Sequence, residues 1–315
     1  MSVLPRLRDL SFVDLYLGVS YADLKADPGA HAARSPVPEQ LNAEVVQVRE
    51  LCARMFEGHG EPEFALPHDD VLYRVTVMQD LRAQPVYFLR RMAASLRELS
   101  RLGLPSEILN FLMQPTTRGL ILFAGDMAAG KTSSAASLLS ARLQQHGGLA
   151  LAIEDPPETQ LDGLHGQGRC IQVPALRRHG HYREQLRRAM RTGVSTLLIG
   201  EIRCQDTASE AIRQSINGLT VISTIHSKDP VDAITRLIAF ASSDMTNPAE
   251  ILASGLSAVI HQKIERVSGG GVRLQFRGLQ IHGADESGIR TKIREGRIEQ
   301  LGQDIASQAG RQTWK

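Results

Sequence analysis

The stretch GDMAAGKT, residues 125–132, fits the pattern G-x-x-x-x-G-K-[ST] at every fixed position. Glycines in such a loop let successive backbone N–H groups turn towards a phosphate, and the helix that follows points its N-terminus at the same charge. An apolar run at 120–124 precedes the loop, and helical spacing continues over 133–143. Because strand, loop and helix occur in this order, the sequence predicts a phosphate-binding loop.

This loop predicts ATP and Mg²⁺ as ligands. Lys131 is expected to reach the β- and γ-phosphates, and Thr132 is expected to ligate the metal. Asp126 is an unusual neighbour for a triphosphate, so we expect its side chain to point away from the ligand. The residues expected to bind the nucleotide are Gly125, Ala128, Ala129, Gly130, Lys131, Thr132 and Ser133.

Further apolar runs at 149–153, 196–199 and 220–225 predict strands of a parallel sheet, since helical patterns lie between several of them. Ligands of such sheets bind at the carboxyl ends of the strands. Glu154 stands at one end, where it either orients an attacking water or belongs to a solvated acidic turn. Glu201 suits a carboxylate acting at Mg²⁺. His226 is placed to sense the γ-phosphate, the alternative being a structural histidine.

Composition favours a cytoplasmic globular protein of about two domains, with 315 residues, 42% hydrophobic and 22% charged. Aromatic residues make up 4% and the formal charge is +2, which argues against a nucleic-acid partner. No run approaches 18 apolar residues, and the first residues lack the apolar core of a signal peptide. Three scattered cysteines fit a reducing compartment.

The amino-terminal third has a different pattern. Residues 41–57 show helical spacing and residues 62–92 alternate as strands do, whereas 27–40 have the composition of a surface loop. We therefore expect a small α+β domain over 1–100, a linker over 101–118, and an α/β ATPase domain over 119–315 that ends in a helical region.

Four motifs occur in the order found in the type II/type IV secretion ATPase superfamily, and the chain resembles its type IV pilus retraction branch most. They are the Walker A loop (125–132), the Asp box (153–156), the Walker B strand (198–203) and the His box (224–227). The resemblance implies a RecA-like P-loop ATPase with a PAS-like amino-terminal domain. It also implies that Glu154 activates water, Glu201 acts at Mg²⁺, and His226 senses the nucleotide state.

The resemblance further implies a homo-hexameric ring that acts on an inner-membrane platform protein of a pilus or secretion machine, to which the chain would attach peripherally. Family members carry arginines at the positions of Arg187 and Arg191, where they would neutralise charge in the transition state. The alternative for these arginines is a solvated helix face.

Departures from the family pattern keep other functions open. In the usual loop G-P-T-G-S-G-K-[ST], this chain has Asp126 in place of Pro, Ala128 in place of the middle Gly and Ala129 in place of Ser. These changes leave open a regulatory subunit that hydrolyses ATP weakly. A type IVB secretion ATPase shares the same motifs, and a RecA-like nucleic-acid motor is disfavoured by charge. The absence of the zinc-binding tetracysteine of assembly ATPases favours the retraction-like branch.

A carboxy-terminal segment, 288–295, resembles an element of retraction ATPases. Ile289 and Ile293 are four residues apart and share one helix face. We expect this face to dock against a partner or an adjoining subunit, the alternative being that both isoleucines pack within the chain.

Overall fold

A computed structural model of the protein describes residues 6–26, 34–92, 96–179, 181–266 and 272–313. The chain divides into two compact units. The first comprises Met1–Ser95, Asp155–Gln160 and Pro174–His179, and the second comprises Leu96–Glu154, Leu161–Val173 and Gly180–Lys315.

The first unit is a six-stranded antiparallel sheet with one long helix. Its elements are β1 (Asp14–Leu17), β2 (Ala22–Lys25), β3 (Arg34–Pro36), α1 (Asn42–His59), β4 (Glu63–His68), β5 (Val71–Gln79) and β6 (Pro85–Arg91). The strand order is β3-β2-β1-β6-β5-β4. Every second residue at the start of β5 is buried, as the alternation predicts. Apolar residues of α1 join the same core.

The predicted loop over 27–40 is wrong in part. Residues 34–36 form β3, which pairs antiparallel with β2 at the edge of the sheet. A strand of three exposed residues has no buried face, so hydrophobic alternation cannot reveal it. Residues 27–33 of this expectation lie outside the described residues.

The second unit contains an eight-stranded sheet in the order β14-β13-β7-β12-β11-β8-β10-β9. Its strands are β7 (Gly119–Gly125), β8 (Leu149–Glu154), β9 (Gly163–His165), β10 (Gly168–Pro174), β11 (Thr196–Ile202), β12 (Thr220–His226), β13 (Leu256–Arg266) and β14 (Val272–Gln280). The four strands predicted from apolar runs are β7, β8, β11 and β12. They lie side by side and pair in parallel, so their carboxyl ends meet at one edge.

Helices cover this sheet as the α/β prediction requires. They are α2 (Ser106–Leu112), α3 (Lys131–His146), α4 (His181–Ala189), α5 (Gln205–Ser215), α6 (Pro230–Ala241), α7 (Pro248–Gly255), α8 (Glu286–Arg294) and α9 (Leu301–Thr313). Among the described residues, none of the helices has both the length and the apolar character needed to cross a membrane.

Arg142 anchors α3 to its surroundings. Its guanidinium donates to the backbone carbonyl of Gln114 at 3.0 Å, to that of Thr117 at 3.4 Å and to the hydroxyl of Thr220 at 3.4 Å. Burial lowers its pKa to about 10, so the side chain stays charged at neutral pH. A buried charge is costly unless hydrogen-bonded, and these bonds therefore fix α3 against the segment before β7 and the start of β12.

The expected docking face of α8 is wrong. Ile289 and Ile293 are both fully buried within the chain. The charges between them also have internal partners, because Arg290 donates to the carbonyl of Ser254 at 3.0 Å and Lys292 contacts both carboxylate oxygens of Asp304 at 2.9 and 2.7 Å. The i, i+4 spacing correctly indicates one apolar face, but the chain's own α7 and α9 cover it.

Candidate functional site

The loop between β7 and α3 has the backbone conformation that its two fixed glycines predict. Gly125 has φ +146° and Gly130 has φ +83°, values that L side chains rarely adopt. A Cβ on Gly125 would also collide with the backbone carbonyl of Gln262 on β13. The loop therefore turns tightly against β13 before α3 begins at Lys131.

Ala128 takes a left-handed conformation, with φ +58°, at the position where the family pattern has glycine. A non-glycine residue in this region costs about 1–2 kcal/mol. The loop keeps its shape because a neighbour supports it: Gln262 is fully buried and its amide nitrogen donates to the carbonyl of Ala129. The alanine at position 128 thus raises the energy of the loop, and the contact from Gln262 helps the loop to keep its shape.

Lys131 is 6% exposed and lies in the first turn of α3. Its Nζ donates to the carbonyl of Asp126 at 2.9 Å and lies 3.3 Å from Nδ1 of His226. Backbone N–H groups at a helix N-terminus add further positive potential. A buried ammonium beside such N–H groups makes this position strongly attractive to an anion.

Glu201 meets His226 through an irregularity in β11. The register with β12 shifts between Ile199 and Ile202, which inserts one extra residue into β11. Such a bulge re-aims a side chain, and Oε1 of Glu201 lies 3.0 Å from Nε2 of His226. The ammonium of Lys131 can only donate and the carboxylate of Glu201 can only accept. A neutral His226 with its proton on Nε2 therefore satisfies both contacts.

Glu154 ends β8 next to Gly200, and it is 2% exposed. This burial excludes the alternative of a solvated acidic turn. A Cβ at Gly200 would lie 3.2 Å from Cγ of Glu154 and 3.0 Å from Oη of Tyr182, so glycine keeps room for both side chains. Burial, with added repulsion from the carboxylates of Glu154 and Asp162, raises the pKa of the Cys170 thiol to about 12.

The predicted metal ligands occupy separate elements. Thr132 is half-buried in the first turn of α3, as is Ser133, whereas Glu201 lies in β11. Within the described ranges, no cluster of three or more His, Cys, Asp or Glu side chains is arranged to hold a metal ion alone.

The two predicted arginines stand apart from this arrangement. Arg187 lies on α4 with its Nε 3.9 Å from Oε1 of Glu210, and its side chain is 59% exposed. Arg191 is exposed beyond the end of α4. In the described part of the chain, neither arginine bonds to the loop, Glu154, Glu201 or His226.

Three residues of the site were missed from the sequence: Gln172, Tyr182 and Gln262. Gln262 left a usable signal, since it follows the apolar run 258–260 of β13 after a single intervening residue, His261. Gln172 left none, because its contact with Glu154 depends on how the β9–β10 hairpin folds back along β8. Tyr182 is 3% exposed on α4 and is likewise brought in by tertiary packing.

Comparisons with known proteins match this architecture. The family model "Type II/IV secretion system protein" matches residues 64–296. The type II secretion system protein HxcR of Pseudomonas aeruginosa is 35% identical over 182 residues, which cover 56% of this chain and 36% of HxcR. The type IV pilus ATPase PilU of the same organism is 28% identical over 232 residues, covering 72% of this chain and 59% of PilU. The chain thus spans less than two thirds of the length of these relatives.

A crystal structure of the pilus retraction motor PilT with bound ADP superposes with a TM-score of 0.76 at 23% identity. The match covers 95% of this chain and 86% of that chain. It confirms the predicted fold class, a RecA-like α/β unit with an amino-terminal unit built on an antiparallel sheet. Because the family model covers most of the chain, this protein belongs to the type II/IV secretion system protein family.

Proposed function

We propose that the chain is a P-loop ATPase that hydrolyses ATP to power a type IV pilus or a related secretion machine. The observation that carries the proposal is the continuous contact from Lys131 through His226 to Glu201, at the edge where the glycine-bounded loop ends. Glu154 lies at the same edge of the sheet, at the end of the neighbouring strand β8. Similarity to proteins described as a pilus ATPase and a pilus retraction motor supports the choice of machine.

ATP would bind with its phosphates against the loop. The backbone N–H groups before α3 and the ammonium of Lys131 would compensate the charge of the β- and γ-phosphates. An incoming γ-phosphate competes with His226 for Lys131, because the Nζ atom lies 3.3 Å from Nδ1 of that ring. His226 would then signal phosphate occupancy to Glu201, 3.0 Å away.

Mg²⁺ fits the residues at this edge, since the hydroxyl of Thr132 and the carboxylate of Glu201 are the hard oxygen donors it prefers. When bound, the ion would supply neutralisation of phosphate charge. Glu154 would orient the attacking water and accept its proton. The burial of this carboxylate removes competing solvent from its surroundings.

The catalytic unit is proposed to be a homo-hexameric ring. Arg187 and Arg191 are exposed and away from the loop of their own chain, which suits a role at the site of an adjoining subunit. The ring would act in the cytoplasm on an inner-membrane platform protein, with no nucleic-acid partner.

A weakly hydrolysing regulatory subunit is the second candidate, favoured by one observation. Ala128 holds a left-handed conformation that glycine adopts at little cost. If this strain prevents the loop from closing on phosphate, the chain would bind nucleotide and turn it over slowly. A type IVB secretion ATPase remains the alternative within the motor class.

Replacement of Lys131 tests the phosphate loop. Lys131→Ala removes the ammonium from the β/γ-phosphate position, so steady-state ATP hydrolysis should fall by at least about 100-fold, as for loss of other preorganised charges at a reacting group. Lys228→Ala, which removes an exposed lysine near His226, is the control and should retain parental turnover. Normal hydrolysis by the Lys131 variant would exclude the loop as the catalytic site.

The two strand-end carboxylates should separate binding from chemistry. Glu154→Gln and Glu201→Gln preserve shape and remove charge, so hydrolysis should fall far more than nucleotide affinity. Glu158→Gln is the control, because Glu158 pairs with Arg74 in the first unit at 3.2 Å. Single-turnover hydrolysis and equilibrium nucleotide binding give the two quantities. Parental turnover by both site variants would show that neither carboxylate has the proposed role.

Subunit mixing tests whether the arginines act in trans. Arg187→Ala/Arg191→Ala chains keep Lys131, and Lys131→Ala chains keep the arginines, so about one interface in four of a random equal mixture would hold both. The ATPase activity of the mixture should therefore rise to about a quarter of the parental activity, although each variant alone is inactive. Arg188→Ala, on the same helix and paired with Glu184, should be active alone. Confirmed co-assembly without recovered activity would place the arginines in cis or outside the site.

A further inference from the structure

Gln172 lies against the carboxylate proposed to activate water. It belongs to β10, and its Nε2 donates to Oε1 of Glu154 at 2.7 Å. This distance is typical of a hydrogen bond to an ionised acceptor. Because Glu154 is 2% exposed, bulk water competes little with this donor, and a hydrogen bond in such surroundings is stronger than one in water.

The orientation of the Gln172 amide is fixed from its other end. Its Oε1 accepts from the backbone nitrogens of Leu161 and Asp162, at 3.1 and 3.2 Å. The backbone nitrogen of Gln172 in turn donates to Oδ1 of Asp162 at 3.0 Å. A flipped amide would set its NH₂ group against two N–H donors and its oxygen against a carboxylate. The NH₂ group is therefore held towards Glu154.

We propose that Gln172 is a positioning residue for the reaction, which holds the Glu154 carboxylate in the orientation needed to act on water. An amide suits this role because it donates to the carboxylate without titrating or competing as a base. The β9–β10 hairpin thereby couples the turn at 161–162 to the reacting edge of the sheet. The inference rests on the proposed function of Glu154 and adds the residue that directs it.

Gln172→Glu tests this role through the pH dependence of kcat. The new carboxyl keeps an oxygen for the Leu161 and Asp162 nitrogens but faces Glu154 with a second acid. Two adjacent carboxyls share one proton over a range of pH and repel once both are ionised. The variant should therefore approach parental kcat at low pH and lose activity as pH rises. Displacement of the carboxylate should lower kcat about 10- to 100-fold at alkaline pH, with KM for ATP little changed.

Gln308→Glu is the matched control. Gln308 is also a buried amide that bridges backbone groups, accepting from the nitrogen of Gln280 and donating to its carbonyl, both at 2.8 Å. Both partners of the Gln308 amide in this bridge are backbone groups of Gln280, so its variant should follow the parental pH profile. An equal alkaline loss in both variants would show a general cost of a new buried charge and would overturn the inference.

A neutral variant covers the case in which Gln172→Glu does not fold. Gln172→Asn shortens the side chain by one methylene and so moves its NH₂ group away from Glu154. The variant should therefore have a lower kcat at every pH, with no additional fall at alkaline pH and with unchanged nucleotide affinity. Parental kcat in Gln172→Asn, or a parental pH profile in folded Gln172→Glu, would refute the positioning role. Turnover by Glu154→Gln at the parental rate would instead refute the function proposed for Glu154, so the two failures are distinguishable.

Discussion

The second unit depends on one electrostatic constraint, the buried ammonium of Lys131 at the start of α3. A charge that is 6% exposed must be satisfied by oriented dipoles or opposite charge. The carbonyl of Asp126 and the ring of His226 contribute to this from the protein. The ammonium of Lys131 and the backbone N–H groups at the helix N-terminus together attract an anion. A phosphate chain is the anion that this loop shape fits best.

The rest of the sheet holds that charge in place. Gln262 supports the loop from β13, Arg142 fixes α3 against the segment before β7, and the extra residue in β11 directs Glu201 to His226. Parallel pairing of β7, β12, β11 and β8 brings these contributions to one edge. The site is therefore a consequence of strand order, since residues from 125 to 226 become neighbours only when the sheet forms.

Sequence patterns predicted what is local and left out what is long-range. The glycine spacing at 125–132 predicted the loop, and the apolar runs predicted the four central strands of the sheet. Both predictions succeeded because patterns of consecutive residues indicate local backbone conformation and burial. The support from Gln172 depends on how the β9–β10 hairpin packs beside β8, which no local pattern encodes. Ile289 and Ile293 show the same limit, since their spacing indicated an apolar face but not that the chain itself covers it. The function of Arg187 and Arg191 stays a prediction.

The most direct test is a crystal structure of the chain with Mg²⁺ and a non-hydrolysable ATP analogue. The β- and γ-phosphates should lie against the loop within hydrogen-bond distance of Nζ of Lys131. This Nζ atom should then contact a phosphate oxygen in place of Nδ1 of His226. Glu154 and Glu201 should face the γ-phosphate from the neighbouring strand ends. An analogue bound elsewhere at saturating concentration, with the contact between Lys131 and His226 unchanged, would contradict the assignment of this edge as the nucleotide site.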